Sequence, residues 1–281
     1  MIKIEKKIYS GEITTKNKEG KNDYEYFTSN PSVKCLLADM ELVDRCWDTY
    51  NELIANKDPD RNYNNIKTWF KNEEDVHSIT MCGKTTVKAP IMTVLSVFAE
   101  IDLIDSFIDS FEKIDVVKQF SNFRILNTCK LKMPMFVSAR DLVTMGIGMT
   151  LTEEKSVLLA MKSVIDEEYL GTKVPKETSN YIRIVLNFGF YLLNYVDDSH
   201  TELSLALNVD PKVPMIPWFI LNTFLKEVAY YIVLGFKERM EKLDGKIGKI
   251  YNERREKRKE FYKQIQDRII FDSTNTTEIP D

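Results

Sequence analysis

From residue 31 onward, apolar positions recur every three or four residues: Leu36, Leu37, Met40, Val43, Trp47, Tyr50, Leu53 and Ile54. A stripe of that period predicts an amphipathic helix with one face turned to a core. The cluster Asn56-Lys57-Asp58-Pro59-Asp60 ends it, because Asn, Asp and Pro favour turn geometries over continued helix. The period then drops towards two. Residues 66–71 and 76–87 read as strands, the second with Ile79, Met81 and Val87 among polar neighbours. Lys88-Ala89-Pro90 opens a helix, since proline is tolerated in a first turn where its missing N–H would have no partner. Ile91, Val94, Leu95 and Phe98 form the buried face, and a second short helix over 101–111 completes the pair.

Residues 116–209 are mostly strand. Segments 116–120 and 124–132 alternate as an antiparallel pair, and 142–149 and 157–165 flank the turn Thr152-Glu153-Glu154-Lys155. Segments 181–188 and 190–195 flank Gly189, where the pattern predicts a bend or bulge. In 201–209, Leu203, Leu205, Leu207 and Val209 point one way and Glu202, Ser204 and Asn208 the other, the signature of a half-buried strand. After a loop with Pro214 and Pro217, the longest apolar helix runs from Trp218 to Leu243. One of its stripes is Trp218, Leu221, Leu225, Val228 and Ile232. Asn222, Lys226 and Glu227 interrupt it, so it reads as a core helix and not a membrane span. Residues 246–268 are helical in pattern but highly charged. The expected organisation is a flexible N-terminal arm over 1–30, a single domain over 31–243, a charged helical extension over 244–271 and a disordered tail over 272–281.

Composition narrows the function. Hydrophobic residues at 43% and charged residues at 29% suit a globular protein with a good core. A net charge of −4 argues against nucleic acid as a partner, because phosphate binding needs a concentrated positive field. The cysteines Cys35, Cys46, Cys82 and Cys129 form no CxxC pair, and with His77 and His200 alone to help, no metal site is expected. They read as reduced thiols of a cytoplasmic protein. The first residues lack the apolar core of a secretory signal and the Arg/Ser-rich character of a transit peptide. Asp102 and Asp105 with Glu100 form an acidic group, but no histidine, activated serine or phosphate loop accompanies them, and no catalytic residue or cofactor is expected.

Three segments carry a family likeness. Residues 181–222, YIRIVLNFGFYLLNYVDDSHTELSLALNVDPKVPMIPWFILN, resemble the C-terminal half of a START (StAR-related lipid-transfer) domain. Residues 133–143, MPMFVSARDLV, resemble the family's Pro-x-x-x-Ser-x-Arg-Asp-aliphatic-Val element, with Ala139 where proline is usual. Residues 89–103 resemble the entry to its first internal helix. The family's Trp-x-Pro step is absent, and Phe107 or Phe111 stands in its place. The resemblance covers roughly 37–243 and leaves out the charged segment that follows. It implies an α+β helix-grip fold, in which a curved antiparallel sheet wraps a long C-terminal helix around a cavity. It also implies a non-enzymatic protein that binds or transfers one lipid, a phospholipid or a sterol, through transient membrane contact. The alternative is a structural subunit that uses the START fold as a packing module in a larger organelle-bound or ciliary assembly.

Within that frame Arg140 and Asp141 face opposite sides of a strand, so one of them looks into the cavity. Arg140 is the candidate for the lipid head group, with Arg183 and Tyr191 as further polar contacts. Leu203, Leu205, Leu207, Leu221, Leu225 and Val228 are candidate walls, and Met133, Met135, Met145, Met149 and Met161 could supply adaptable apolar surface. From Lys246 to Arg268 nine basic residues stand against four acidic ones, which suggests a docking helix for a protein partner or an anionic membrane.

Overall fold

The computed structural model describes residues 31–73, 78–106, 108, 110–133, 138–212, 218–243 and 245–270. The expected N-terminal arm and C-terminal tail lie outside them. The chain forms two compact units, Met1–Arg45 and Cys46–Asp281. The described part of the first is the start of helix α1, Pro31–Thr49, in which Leu42 is buried and Leu36 exposed, so the buried face is displaced from the expected stripe that began at Leu36.

In the second unit, the end of α1 loosens into a wider π-type turn, Tyr50–Ala55, before the Asn56–Asp60 turn residues stop it. Strands β1 (Arg61–Tyr63), β2 (Ile66–Glu73) and β3 (Ser78–Val87) come next, then α2 (Ile91–Ala99), which Pro90 caps from outside. The helix expected over 101–111 is a single 3₁₀ segment, Ile101–Ser106. Phe111 instead starts β4, Phe111–Ser121, whose early positions are too polar to register as strand by alternation. Strands β5 (Arg124–Leu131), β6 (Ala139–Leu151) and β7 (Ser156–Ser163) form a meander, and Lys155 takes a positive φ of 50° in the expected β6–β7 turn.

A small hairpin, β8 (Glu168–Tyr169) and β9 (Thr172–Lys173), was not visible in the pattern because each strand has two residues. β10 (Tyr181–Arg183), β11 (Val185–Asp197) and β12 (His200–Asp210) complete the strands. Helix α3, Trp218–Glu241, is followed by α4 (Gly245–Lys257) and α5 (Lys259–Ile269). Gly245 makes the α3–α4 break at φ +56°, a left-handed conformation that glycine adopts without strain.

The main sheet is curved, with order β1-β2-β3-β12-β11-β7-β6-β5-β4, antiparallel except where β10 runs parallel to the start of β6. The break that sequence placed at Gly189 lies elsewhere. The ladder to β12 slips between Leu186 and Phe188, and β11 runs straight through Gly189. A Cβ on Gly189 would stand 2.9 Å from Leu207 Cδ2 and 3.3 Å from Met161 Cγ, so this glycine answers crowding between neighbouring strands. β12 is also not half-buried. Leu203 and Leu205 are buried on one face, and Ser204, Ala206 and Asn208 on the other. On that polar face Asn208 Nδ2 donates to Thr80 Oγ1 at 2.8 Å and Asn187 Nδ2 donates to Asn208 Oδ1 at 2.7 Å, while the Ser204 hydroxyl has no hydrogen-bond partner among the described residues. On the opposite face α3 packs on β2 and β3. Gly83 makes room for it, since a Cβ there would lie 2.2 Å from Val233 Cγ2. Among the described residues no helix is long and apolar enough to cross a membrane.

Candidate functional site

A strongly curved sheet and one long helix leave a volume that side chains do not fill. Here it is a cavity of about 790 Å³, within the range of ligand sites. Alternate residues of β6 from Arg140 to Gly146 (Arg140, Leu142, Thr144 and Gly146) face it, as the pleat dictates, and beyond them Ile147, Gly148, Met149 and Thr150 line it without alternation. From α3 come Leu225, Val228, Tyr231, Ile232, Gly235 and Phe236, and from α2 Leu95, Phe98 and Ala99. Leu159 and Met161 of β7 and Leu207 and Val209 of β12 add aliphatic wall. The surface is overwhelmingly apolar, with a few polar groups at defined points.

Arg140 is the first of these. It is buried, and among the described residues its donors reach backbone carbonyls only: Nε to Pro211 O at 3.4 Å, Nη2 to Pro211 O at 3.5 Å and to Lys212 O at 3.2 Å, and Nη1 to Ser138 O. Burial pushes the guanidinium below its ordinary pKa, yet a guanidinium stays protonated at neutral pH. Asp141, on the opposite face, pairs instead with Arg183 in a two-pronged contact, Nε to Oδ1 at 2.9 Å and Nη2 to Oδ2 at 2.7 Å. That pair ties β10 to β6 and removes Arg183 from the cavity, correcting the expectation that it faces a ligand. Farther in, Thr144 Oγ1 donates to Asn127 Oδ1 at 3.2 Å, and both residues line the wall. The Tyr191 ring stacks on Phe98 at 4.0 Å between centroids. Its hydroxyl has no hydrogen-bond partner among the described residues, and burial raises its pKa.

The other expected site residues divide. Leu207, Leu225 and Val228 line the cavity, whereas Leu203 and Leu205 do not. They sit lower on β12, within the core that α2 and α3 fill, where the same period-two stripe is ordinary packing. The side chain of Leu221 and all of Met135 lie outside the described residues. Met133, Met149 and Met161 line the wall, while Met145 is buried away from it.

Sequence reasoning named Tyr191 but missed the aromatic side chains around it in the cavity. Phe98, Tyr191 and Phe236 form one group, with Phe98 5.1 Å and Tyr191 5.8 Å from Phe236. Phe123 meets Phe261 of α5 at 5.6 Å. In the acidic group at 100–105, Glu100 and Asp102 are partners of the C-terminal helices. Glu100, 1% exposed, accepts hydrogen bonds from Arg254 at 3.1 Å, Arg258 at 2.7 Å and the Tyr262 hydroxyl at 2.6 Å, and Asp102 accepts from Arg254 Nη2 at 2.8 Å. The charged C-terminal segment thus packs back on the domain, with Tyr251, Phe261, Tyr262, Ile265 and Ile269 buried.

No family model and no curated protein matches this sequence. The fold does have solved counterparts. Human STARD10 superposes with a TM-score of 0.61 at 14% identity, over 76% of this chain and 81% of that one. Human StAR-related lipid transfer protein 5 superposes with a TM-score of 0.61 at 12% identity, over 74% of this chain and 98% of that one. A fragment of a STAR-related lipid transfer protein from Xanthomonas axonopodis gives 0.53 at 15% identity, over 64% and 96%. The chain has a START-type helix-grip fold.

Proposed function

We propose that this protein holds one lipid in the internal cavity, with the lipid's polar head at Arg140 and its apolar body along β6, α3 and α2. The carrying observation is that Arg140 is a buried cation facing an apolar cavity with only carbonyl oxygens as partners among the described residues. Buried charges in proteins are ordinarily paired. A phosphate or carboxylate oxygen from a ligand would complete the set, because a guanidinium has five N–H donors in a planar fork. Each methylene buried from water contributes about 0.8 kcal/mol, so the apolar cavity offsets what a long-chain lipid would otherwise lose on leaving a bilayer. The names of the structural neighbours, lipid transfer proteins among them, agree with this reading. It has the protein work from the cytoplasm and meet membranes transiently. Exposed Ile247 and Ile250 beside Lys246 and Lys249 at the start of α4 suit an anionic surface.

Native mass spectrometry of the purified full chain, before and after exposure to vesicles of phosphatidylcholine and phosphatidic acid, tests the proposal. A one-to-one lipid adduct that Arg140→Met weakens by roughly tens-fold or more is the expected result, since truncating one partner of a buried charged contact costs about 2–5 kcal/mol. No adduct in either condition would move the function to the alternative, a START fold used for assembly contacts.

A further inference from the structure

We propose that helix α5 is the end wall of the cavity and that Phe261 and Ile265 set the length of apolar chain the protein accepts. The inference rests on the lipid-binding reading and adds a specificity determinant to it. The geometry comes from the sheet register. Arg140 pairs with Leu131 at the start of the β5–β6 ladder, and Ile147 pairs with Arg124 at its other end. One residue further, Gly148 N donates to Phe123 O at 2.9 Å. The seven steps from Arg140 to Ile147 span about 23 Å at the usual strand rise. Arg140 and Phe123 therefore mark opposite ends of the cavity, and Phe123 is the residue that Phe261 meets.

Phe261 and Ile265 are four residues apart on α5, hence on one face, and both line the cavity while being almost fully buried. The wall is fixed. The hydrogen bonds from Arg254, Arg258 and Tyr262 to Glu100, and from Arg255 Nη1 to Thr93 Oγ1 at 2.6 Å, fasten α4 and α5 to α2 and the segment after it. Those elements line the same cavity through Leu95, Phe98 and Ile104. A ligand anchored at Arg140 thus meets a rigid stop. A chain too long by one methylene must leave that methylene unburied or distort the wall, a discrimination of about fourfold per methylene, which is 0.8 kcal/mol converted.

The test offers the full chain vesicles of phosphatidylcholine and phosphatidic acid carrying an equimolar ladder of saturated chain lengths, then reads the bound lengths by extraction and mass spectrometry. Wild type should show an upper cut-off. Phe261→Ala should move it upward, with about fourfold enrichment for each added methylene that the new space accepts, and Phe261→Trp should move it downward. Phe261→Leu and Ile265→Val, which keep most of the burial, carry the same upward prediction should Phe261→Ala fail to fold. Folded variants with the wild-type length distribution would overturn the end-wall assignment and leave lipid binding intact. A wild type that takes up no lipid would instead remove the lipid reading, and this inference with it.

Discussion

The attachment of the C-terminal helices can be tested at one atom pair. In Glu100→Gln the side chain keeps its size, but one acceptor oxygen becomes an NH₂ group facing donors from Arg254, Arg258 and Tyr262. Removing one side of a buried ion pair costs about 3–5 kcal/mol. The lower end applies here, because the Arg254 and Arg258 side chains retain 34% and 24% exposure and can regain water. We expect about 3 kcal/mol, a large share of the ~5–15 kcal/mol that holds a typical domain together. At about 2–4 °C per kcal/mol for a domain of this size class, the melting temperature should fall by roughly 6–12 °C.

Urea titration followed by tryptophan fluorescence and circular dichroism gives the free energy, and amide hydrogen exchange over 245–269 shows where the loss begins. Asp102→Asn is the comparison. Its carboxylate is 40% exposed, and an exposed pair contributes at most about 1 kcal/mol. A Glu100→Gln change below about 1 kcal/mol, with unaltered exchange in α4 and α5, would refute the claim that Glu100 secures them.

Gly83→Ala should destabilise by about 1–3 kcal/mol, because the new Cβ would overlap Val233 Cγ2 at the β3–α3 contact, where Val233 is fully buried. Gly235→Ala should do the opposite. It lies inside α3 with nothing within 4 Å of the added methyl, so the gain in helix propensity, up to about 1 kcal/mol, is unopposed. Chemical denaturation of both variants checks the pair, and equal signs would contradict the packing described. Asp197 is held at about 2, first by the Ser199 backbone N–H and then by His200 and the Ser199 hydroxyl. Its folded pKa is depressed, so its contribution is complete above the unfolded value and is lost as pH falls through about 2. Carboxyl-carbon NMR of the folded protein should show that midpoint, and one near the ordinary aspartate value would count against the turn geometry.

Much of this architecture was legible because alternation and helical period report burial. The helix over residues 31–49, the β6–β7 turn, the strand over 200–210 and the long helix from Trp218 all appear where their patterns fall. What escaped has physical reasons. β4 begins at Phe111 inside a run read as helix, since an edge strand with mostly exposed residues has little apolar alternation to show. Leu203 and Leu207 share one stripe, yet one is core and the other cavity wall, and only the placement of α2 and α3 separates them. The C-terminal segment read as a docking helix for an outside partner because its own partners, Glu100 and Asp102, lie some 150 residues away in sequence. A break at Arg258 separates α4 from α5, and burial does not follow one continuous stripe: Tyr251 and Phe261 are buried while Ile247 and Ile250 are exposed.

The buried charges of the second unit tie these observations together. Among the described residues there, three charged side chains are nearly inaccessible: Glu100, Arg140 and Asp141. Two of them have counter-charges that hold structural elements in place, Asp141 with Arg183 joining β6 to β10 and Glu100 with Arg254 and Arg258 joining α2 to the C-terminal helices. Each is explained by what it fastens. Arg140 fastens less, since the carbonyls of Ser138, Pro211 and Lys212 satisfy hydrogen bonds without neutralising charge. An uncompensated cation in a low-dielectric setting is costly, and it is tolerable where a ligand supplies the missing charge. Among the described residues, Arg140 thus differs from the two paired acids in having no counter-charge, and the proposed head-group role rests on that difference.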